Sequence, residues 1–297
     1  MKIIITGANG FLGQHLSLFL HNKSIDVTAT GRGQCRIEFN NPPTINYVEA
    51  NITNALDVDK LLSENAPDWV IHCAAMSKPN DCHFNQEECI LQNVTATNYM
   101  INSCKYSGAK LLYLSTDFIF GENGPHNEED MPDPLNFYGE SKLKAEELVK
   151  NSGLHWAIVR PVLIYGEQLS GTPPSFLHWV KNSLEKKQPI KVVNDQFRTP
   201  TLVTDICEGI YNIIQQDEQG VFHLSGNEIL TPYQMAIMLA KEYELDETLI
   251  TAVTSDTFPE PVKRAKYSGL KNNKAKKVLG FNPRSFEEGI KTIQNHQ

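Results

Sequence analysis

The first thirteen residues, MKIIITGANGFLG, constrain the fold more than any other stretch of the chain. Residues 3–6 are apolar or β-branched and read as a buried parallel strand. Gly7, Ala8, Asn9 and Gly10 break it, and Phe11-Leu12-Gly13 opens a stretch that is apolar through Leu20 and helical in character. Strand, glycine turn and helix in that order aim backbone N–H groups and a helix N-terminus at a pyrophosphate. The spacing Gly7-x-x-Gly10-x-x-Gly13 is not the G-x-G-x-x-G of the usual dinucleotide fingerprint. The turn alone therefore leaves a ligand-free βα connection open. Its place directly after an N-terminal hydrophobic strand favours the nucleotide reading.

At 297 residues the chain has room for one large domain or a principal domain with a smaller lobe. Apolar residues at 40% and charged residues at 21% fit a soluble globular protein. A net charge of -8 argues against a general nucleic-acid surface and leaves room for a local anion pocket. Lys2 is the only early charge and the glycine turn interrupts any apolar leader, so no signal peptide is expected. No run approaches the length of a membrane span. Cysteines 35, 73, 82, 89, 104 and 207 form no C-x-x-C, which fits reduced thiols and a cytoplasmic setting. His72-Cys73 and Cys82-His83 match no usual zinc spacing, so no metal is expected.

Residues 27–30 read as the second strand, ending at Gly31-Arg32. An NAD-selective fold places an acidic residue near this point to hold the ribose 2′-OH. Here Gly31, Arg32 and Gly33 stand instead, with Arg36 close behind. A small residue and a cation suit a 2′-phosphate and favour NADPH over NADH; the alternative is a solvated loop charge at Arg32. Residues 44–48 form a strand candidate, 54–65 a helix with Val58, Leu61 and Leu62 on one face, and 69–73 a fourth strand ending at Ala74-Ala75. Residues 93–104 belong to a long helix and 110–115 to a fifth strand. This βα alternation predicts an α/β fold with a Rossmann-like, doubly wound parallel sheet. Residues 1–165 are expected to form the dinucleotide-binding domain with the catalytic residues. Residues 166–297 are expected to be mainly a smaller C-terminal substrate-binding lobe, with segments returning to the main sheet. In that part, 175–184, 232–243 and 286–293 read as helical, 190–193 and 221–224 as strands, and 201–214 as a strand end followed by a helix. The basic stretch within 258–277 reads either as a solvated face or as an anion contact.

The fifth strand ends in Ser115-Thr116-Asp117, at the sheet edge where such folds bind ligands. A helix from about Asn136 carries Tyr138 and Lys142, four apart and on one face. Tyrosine is a poor acid at neutral pH. A neighbouring ammonium lowers its pKa, so that it can protonate an alkoxide as hydride reaches a carbonyl carbon. A hydroxyl at 115 or 116 can orient the same oxygen. The alternative is a solvated helix with an unrelated Tyr–Lys pair, which the nucleotide-binding start and the hydroxyl-ended strand disfavour.

TGANGFLG, HCAA, STDFIFGE, YGESK and RPVLIYG together resemble an extended short-chain dehydrogenase/reductase. STDFIF, then EED-x-P-x-P-L-N-F-YG-x-SK, then Asp195-Gln196-Phe197-Arg198-Thr199-Pro200-Thr201 are most similar to the dTDP-4-dehydrorhamnose reductase family, and the likeness covers almost the whole chain. The resemblance implies that Gly7, Asn9, Gly10, Phe11, Leu12 and Gly13 form the pyrophosphate cradle and that Arg32 takes the 2′-phosphate. It places Asn51 and Ile52 at the adenine, where an aspartate is more usual at 51. It has Cys73, Ala74 and Ala75 line the cofactor, Asn93 support the active-site strands, and Pro161 and Val162 flank the nicotinamide. Thr116, Tyr138 and Lys142 carry over as the catalytic group, with Ser115 assisting and Tyr138 as the acid. The implied activity is NADPH-dependent reduction of the 4-keto group of a deoxysugar nucleotide, dTDP-4-dehydrorhamnose foremost, with a homodimer compatible. Another sugar-nucleotide reductase or epimerase is the alternative. So is a cofactor-binding regulatory subunit resembling the methionine adenosyltransferase β-subunit, which RPVLIYGE fits. Departures from the family pattern fall at Pro79-Asn80-Asp81-Cys82-His83, at Val162-Leu163 where a tryptophan is common, and at Pro174-Ser175. All border the expected sugar-nucleotide site.

Overall fold

The computed structural model describes residues 1–38, 45–172 and 174–294. The first half alternates strand and helix: β1 (Lys2–Thr6), α1 (Phe11–Asn22), β2 (Asp26–Gly31), β3 (Asn46–Glu49), α2 (Ala55–Asn65) and β4 (Trp69–His72). Thr44, the first residue of the expected third strand, lies outside the described residues. Two short helices follow, α3 (Pro79–Phe84) and α4 (Gln86–Ile90), then a π-helical segment at Leu91–Thr95 that runs into α5 (Ala96–Ser107). Next come β5 (Lys110–Leu114), α6 (Phe137–Lys150) and β6 (Trp156–Pro161). Beyond them lie β7 (Ile164–Tyr165), α7 (Phe176–Glu185), β8 (Ile190–Val193), β9 (Thr201–Leu202), α8 (Val203–Gln215) and β10 (Gly220–Leu224). The chain closes with α9 (Pro232–Glu242), β11 (Ile250–Val253), α10 (Asn273–Leu279) and α11 (Phe286–Gln294).

Seven strands form one parallel sheet in the order β10-β6-β5-β4-β1-β2-β3. The order reverses direction between β1 and β4, and a crevice opens at the carboxyl ends of those strands, where such sheets take ligands. Alternation along β1 divides the core. Ile3 and Ile5 face α1, α8 and α10, whereas Ile4 faces α2, α5 and α6. Helices on both faces explain why the strands read as continuous apolar runs.

A further core joins α7, α9 and α11 to β8, β9 and β11, with Leu177, Val180, Met235, Leu239, Phe286 and Ile290 at its centre. β8 pairs only with β11, and β7 with β9, outside the main sheet. β10 returns to the main sheet beside β6, and Phe222 and Leu224 enter the core shared with α1. Local signals fix the helix starts. Asn54 caps α2 by accepting from the Leu56 N–H, and Asn136 caps α6 by accepting from the Gly139 N–H at 3.0 Å. Thr231 and Gln234 form a capping box with Pro232 in the first turn of α9. Among the described residues, no helix is long and apolar enough to cross a membrane.

Candidate functional site

A cleft of about 590 Å³ lies at the carboxyl ends of β1, β2, β4 and β5. Its floor is the glycine turn. Gly7 has φ +69°, and a Cβ there would stand 2.8 Å from the Ala74 backbone. A Cβ on Gly13 would meet the Gly7 carbonyl oxygen at 2.2 Å. Only glycine allows α1 to begin this close to β1 and β4. The N-cap Gly10 gives no side-chain cap, and the first turn of α1 carries no acid. The positive end of a twelve-residue helix therefore faces the cleft with no carboxylate to compete.

Arg32 and Arg36 line the far end. Asn9 shapes this end by donating to the carbonyls of Arg32 and Gln34 and accepting from the Arg36 N–H at 2.9 Å. Tyr47 donates to the Gly33 carbonyl at 2.8 Å, and Glu49 accepts from the Gly33 N–H at 3.0 Å. The loop after β2 is thus held open toward the cleft. Residues 167–171 strap its rim. Gln14 donates to the Ser170 carbonyl at 3.0 Å, His15 meets the Glu167 carbonyl at 2.9 Å, and Arg36 donates to the Gly171 carbonyl at 3.3 Å. Glycine cradle, uncapped helix end and two guanidiniums fit a phosphorylated dinucleotide.

Gly7, Asn9, Gly10, Phe11, Leu12, Gly13, Arg32, Asn51, Ile52, Cys73, Ala74, Ala75, Ser115, Thr116, Tyr138 and Pro161 all line this one cleft. Asn93, Lys142 and Val162 do not. Asn93 sits on the π-helical segment, fully buried. Its Oδ1 accepts from the Met76 N–H at 2.7 Å, while its Nδ2 donates to the Met76 carbonyl and to the Ser141 hydroxyl at 2.9 Å. It thereby ties the chain after β4 to α6 from behind the wall. Val162 packs with Ile119, Phe120 and Leu270, because the backbone after Pro161 turns its side chain into that small core. Leu163, with φ +33° and 40% exposure, reaches the cleft in its place. No sequence signal marked that reversal.

The candidate catalytic residues are brought together by the end of β5 and the start of α6. Thr116 Oγ1 accepts from the Phe118 N–H at 3.2 Å and donates to Asp117 at 3.3 Å, on the wall it shares with Tyr138. Gly139 lets α6 lie against this turn, since a Cβ there would be 2.1 Å from the Phe118 carbonyl oxygen. The Phe118 ring meets Tyr138 edge-on at 5.5 Å. Asp117 is buried and accepts from Ser268 Oγ, and Asn136 donates to the Lys263 carbonyl at 3.0 Å. Segment 263–268 is therefore pinned against Asp117 and the start of α6.

Lys142 departs from the sequence expectation. Its Nζ donates to the Leu114 carbonyl at 2.7 Å and stands 4.1 Å from the centre of the Tyr113 ring. Burial pushes the lysine down to about 7, with Glu146 the main influence against it. Burial pushes the Tyr138 phenol well above its ordinary value, opposed by the Thr116 hydroxyl. The expected lowering of the phenol by its lysine is not present here: burial raises it, and the nearby Asp117 adds to the rise. Burial alone would raise the Glu146 carboxyl, but Arg160 holds it below its ordinary range through two hydrogen bonds, at 2.8 and 2.6 Å. Lys150 adds a third contact to Glu146 at 3.1 Å.

Comparison with known proteins agrees with this geometry. Residues 1–297 match the family described as the RmlD substrate binding domain. The spore coat polysaccharide biosynthesis protein SpsK of Bacillus subtilis is 28% identical over 98% of this chain and 95% of its own length. Methionine adenosyltransferase 2 subunit beta of Mus musculus is 28% identical over 98% of this chain and 86% of its own. The crystal structure of dTDP-4-dehydrorhamnose reductase from Bacillus anthracis in complex with NADP superposes with a TM-score of 0.87. It is 26% identical and covers 100% of this chain and 99% of its own.

Proposed function

This chain belongs to the RmlD family of extended, NAD(P)-dependent short-chain oxidoreductases that act on sugar nucleotides, and on that premise we propose that it reduces the 4-keto group of a deoxysugar nucleotide, dTDP-4-dehydrorhamnose foremost, using NADPH. The observation that carries the reading is that Thr116 and Tyr138 stand together on the wall of the cleft floored by the glycine turn. NADPH supplies a hydride when bound. The glycine turn and the start of α1 hold its pyrophosphate, and Arg32 with Arg36 its 2′-phosphate. Thr116 orients the keto oxygen, and Tyr138 passes its phenolic proton to that oxygen as negative charge develops there. The raised phenol pKa keeps this proton in place at neutral pH, and an alkoxide is basic enough to take it.

The test is NADPH oxidation measured with a panel of dTDP-, GDP- and UDP-linked 4-keto sugars. Turnover is expected with the dTDP sugar, and Tyr138→Phe is expected to lower kcat about 100-fold or more. Near-normal turnover by Tyr138→Phe would sink the acid role. The likeness to methionine adenosyltransferase 2 subunit beta supports a second reading, as a cofactor-binding regulatory subunit. Tight NADPH binding with no turnover on any sugar, and a stable protein partner recovered with the chain, would favour it.

A further inference from the structure

The reductase reading needs a charged lysine at a place that does not favour charge. Lys142 is 2% exposed, and burial works against its ammonium. Its Nζ donates to the Leu114 carbonyl at 2.7 Å. The Tyr113 ring centre lies 4.1 Å away. Tyr113 is itself 1% exposed on β5, and its ring lies 5.9 Å from that of His72.

We propose that Tyr113 is a positioning residue for the reduction, its ring face holding the Lys142 ammonium beside the Leu114 carbonyl at the edge of the catalytic cleft. This rests on the reductase reading. An aromatic face attracts a cation most strongly where water is excluded, and the strand fixes this ring before any ligand arrives. The ring also offers no proton acceptor on its face, so the ammonium keeps its three protons for oxygen partners.

The groups facing Lys142 are Glu146 on α6, Tyr113 on β5, His72 and Cys73 at the end of β4, Cys82 on α3 and Cys89 on α4. Glu146 already holds Arg160 and Lys150. Burial pushes His72 down to about 3 and Cys73 up to about 12, so both are neutral near pH 7. A hydrogen bond with Cys89, reinforced by burial, raises Cys82. Cys89 is drawn down, chiefly by that same hydrogen bond, so its ionisation is tied to its neighbour's and is removed from the measurement by substitution.

The experiment is a titration of the Lys142 ammonium by nitrogen-15 NMR of the full chain, in a Cys89→Ser background, alongside the pH profile of NADPH oxidation. Tyr113→Phe is expected to preserve both midpoints. Tyr113→Leu is expected to lower both by about one pH unit, and to reduce kcat with little change in KM. Because the leucine variant leaves a hole in the core, phenylalanines of increasing fluorination at position 113 supply a second series. They keep the ring's shape while draining charge from its face, and a stepwise fall of the midpoint is expected. Identical midpoints across the phenylalanine, fluorinated and leucine proteins overturn the proposal. A moving midpoint in a protein that reduces no sugar nucleotide supports the anchor and overturns the reductase reading.

Discussion

The proposed preference for NADPH makes its sharpest claim at Arg32. That residue lines the cleft beyond the glycine turn, on a loop that Asn9 holds through the Arg32 carbonyl. A guanidinium gains about 1.5–3 kcal/mol from a hydrogen bond to a charged group. Arg32→Ala is accordingly expected to weaken NADPH binding about tenfold or more while leaving NADH nearly unchanged, as measured by calorimetry. Equal losses for the two cofactors would remove the 2′-phosphate role. At this scale the sequence pointed to glycines, a cation, a hydroxyl and a phenol because the proposed chemistry restricts residue types, and the structure brings these residues to one cleft. Side-chain destinations were not readable. Lys142 shares a helix face with Tyr138, yet its four-carbon stem carries the ammonium to β5, a choice made by the Leu114 carbonyl and the Tyr113 ring. Those partners are some thirty residues away in sequence, so local spacing holds no trace of them.

Elements with several turns of periodicity and a capping residue were legible, and short ones held by tertiary contact were not. α2, α6, α7 and α9 start at Asn54, Asn136, Ser175 and Thr231, all hydrogen-bonding side chains at the expected boundary. The six residues of α3, the four of β11 and the seven of α10 are too short to display a period. The π-helical segment at Leu91–Thr95 was missed for another reason: its sequence is that of an ordinary helix. It carries the buried Asn93 side chain, whose partners Met76 and Ser141 are remote in sequence. The β1–α1 unit makes the sharpest demand. Gly13→Ala sets a methyl group 2.2 Å from the Gly7 carbonyl oxygen, with backbone rather than a flexible side chain in the way. The helix must move, and a loss of about 1–3 kcal/mol or more is expected in urea unfolding, together with weakened dinucleotide binding. An alanine variant with unchanged stability and cofactor affinity would show that the turn relaxes freely.

The whole molecule has an acid-sensitive interior. His72 lies between Thr6 and Thr97 at 2.7 and 3.2 Å, and His223 lies beside Arg160 at 3.2 Å. Burial, aided by Lys142 and Arg160 respectively, pushes each imidazole down to about 3. In the unfolded chain an imidazole takes a proton near pH 6.5. Between those values the unfolded state binds protons that the native state refuses, so stability falls as pH falls. The expected loss approaches about 1.4 kcal/mol per pH unit for each histidine below about 6.5, and it levels off near 3. Urea midpoints at pH 7.5 and 5.5 measure it, and equal midpoints would contradict it.

The outer strand of the parallel sheet comes from residues 220–224, whereas its neighbour β6 ends at Pro161. On the ribosome, β6 therefore emerges with one edge bare and stays so until that later strand has cleared the exit tunnel. An unpaired edge is a template for other chains, and domains assemble as their segments appear. The interval between these two strands is the stage of synthesis at which that edge is open to pairing with another chain, and a chain truncated within it leaves the edge uncovered.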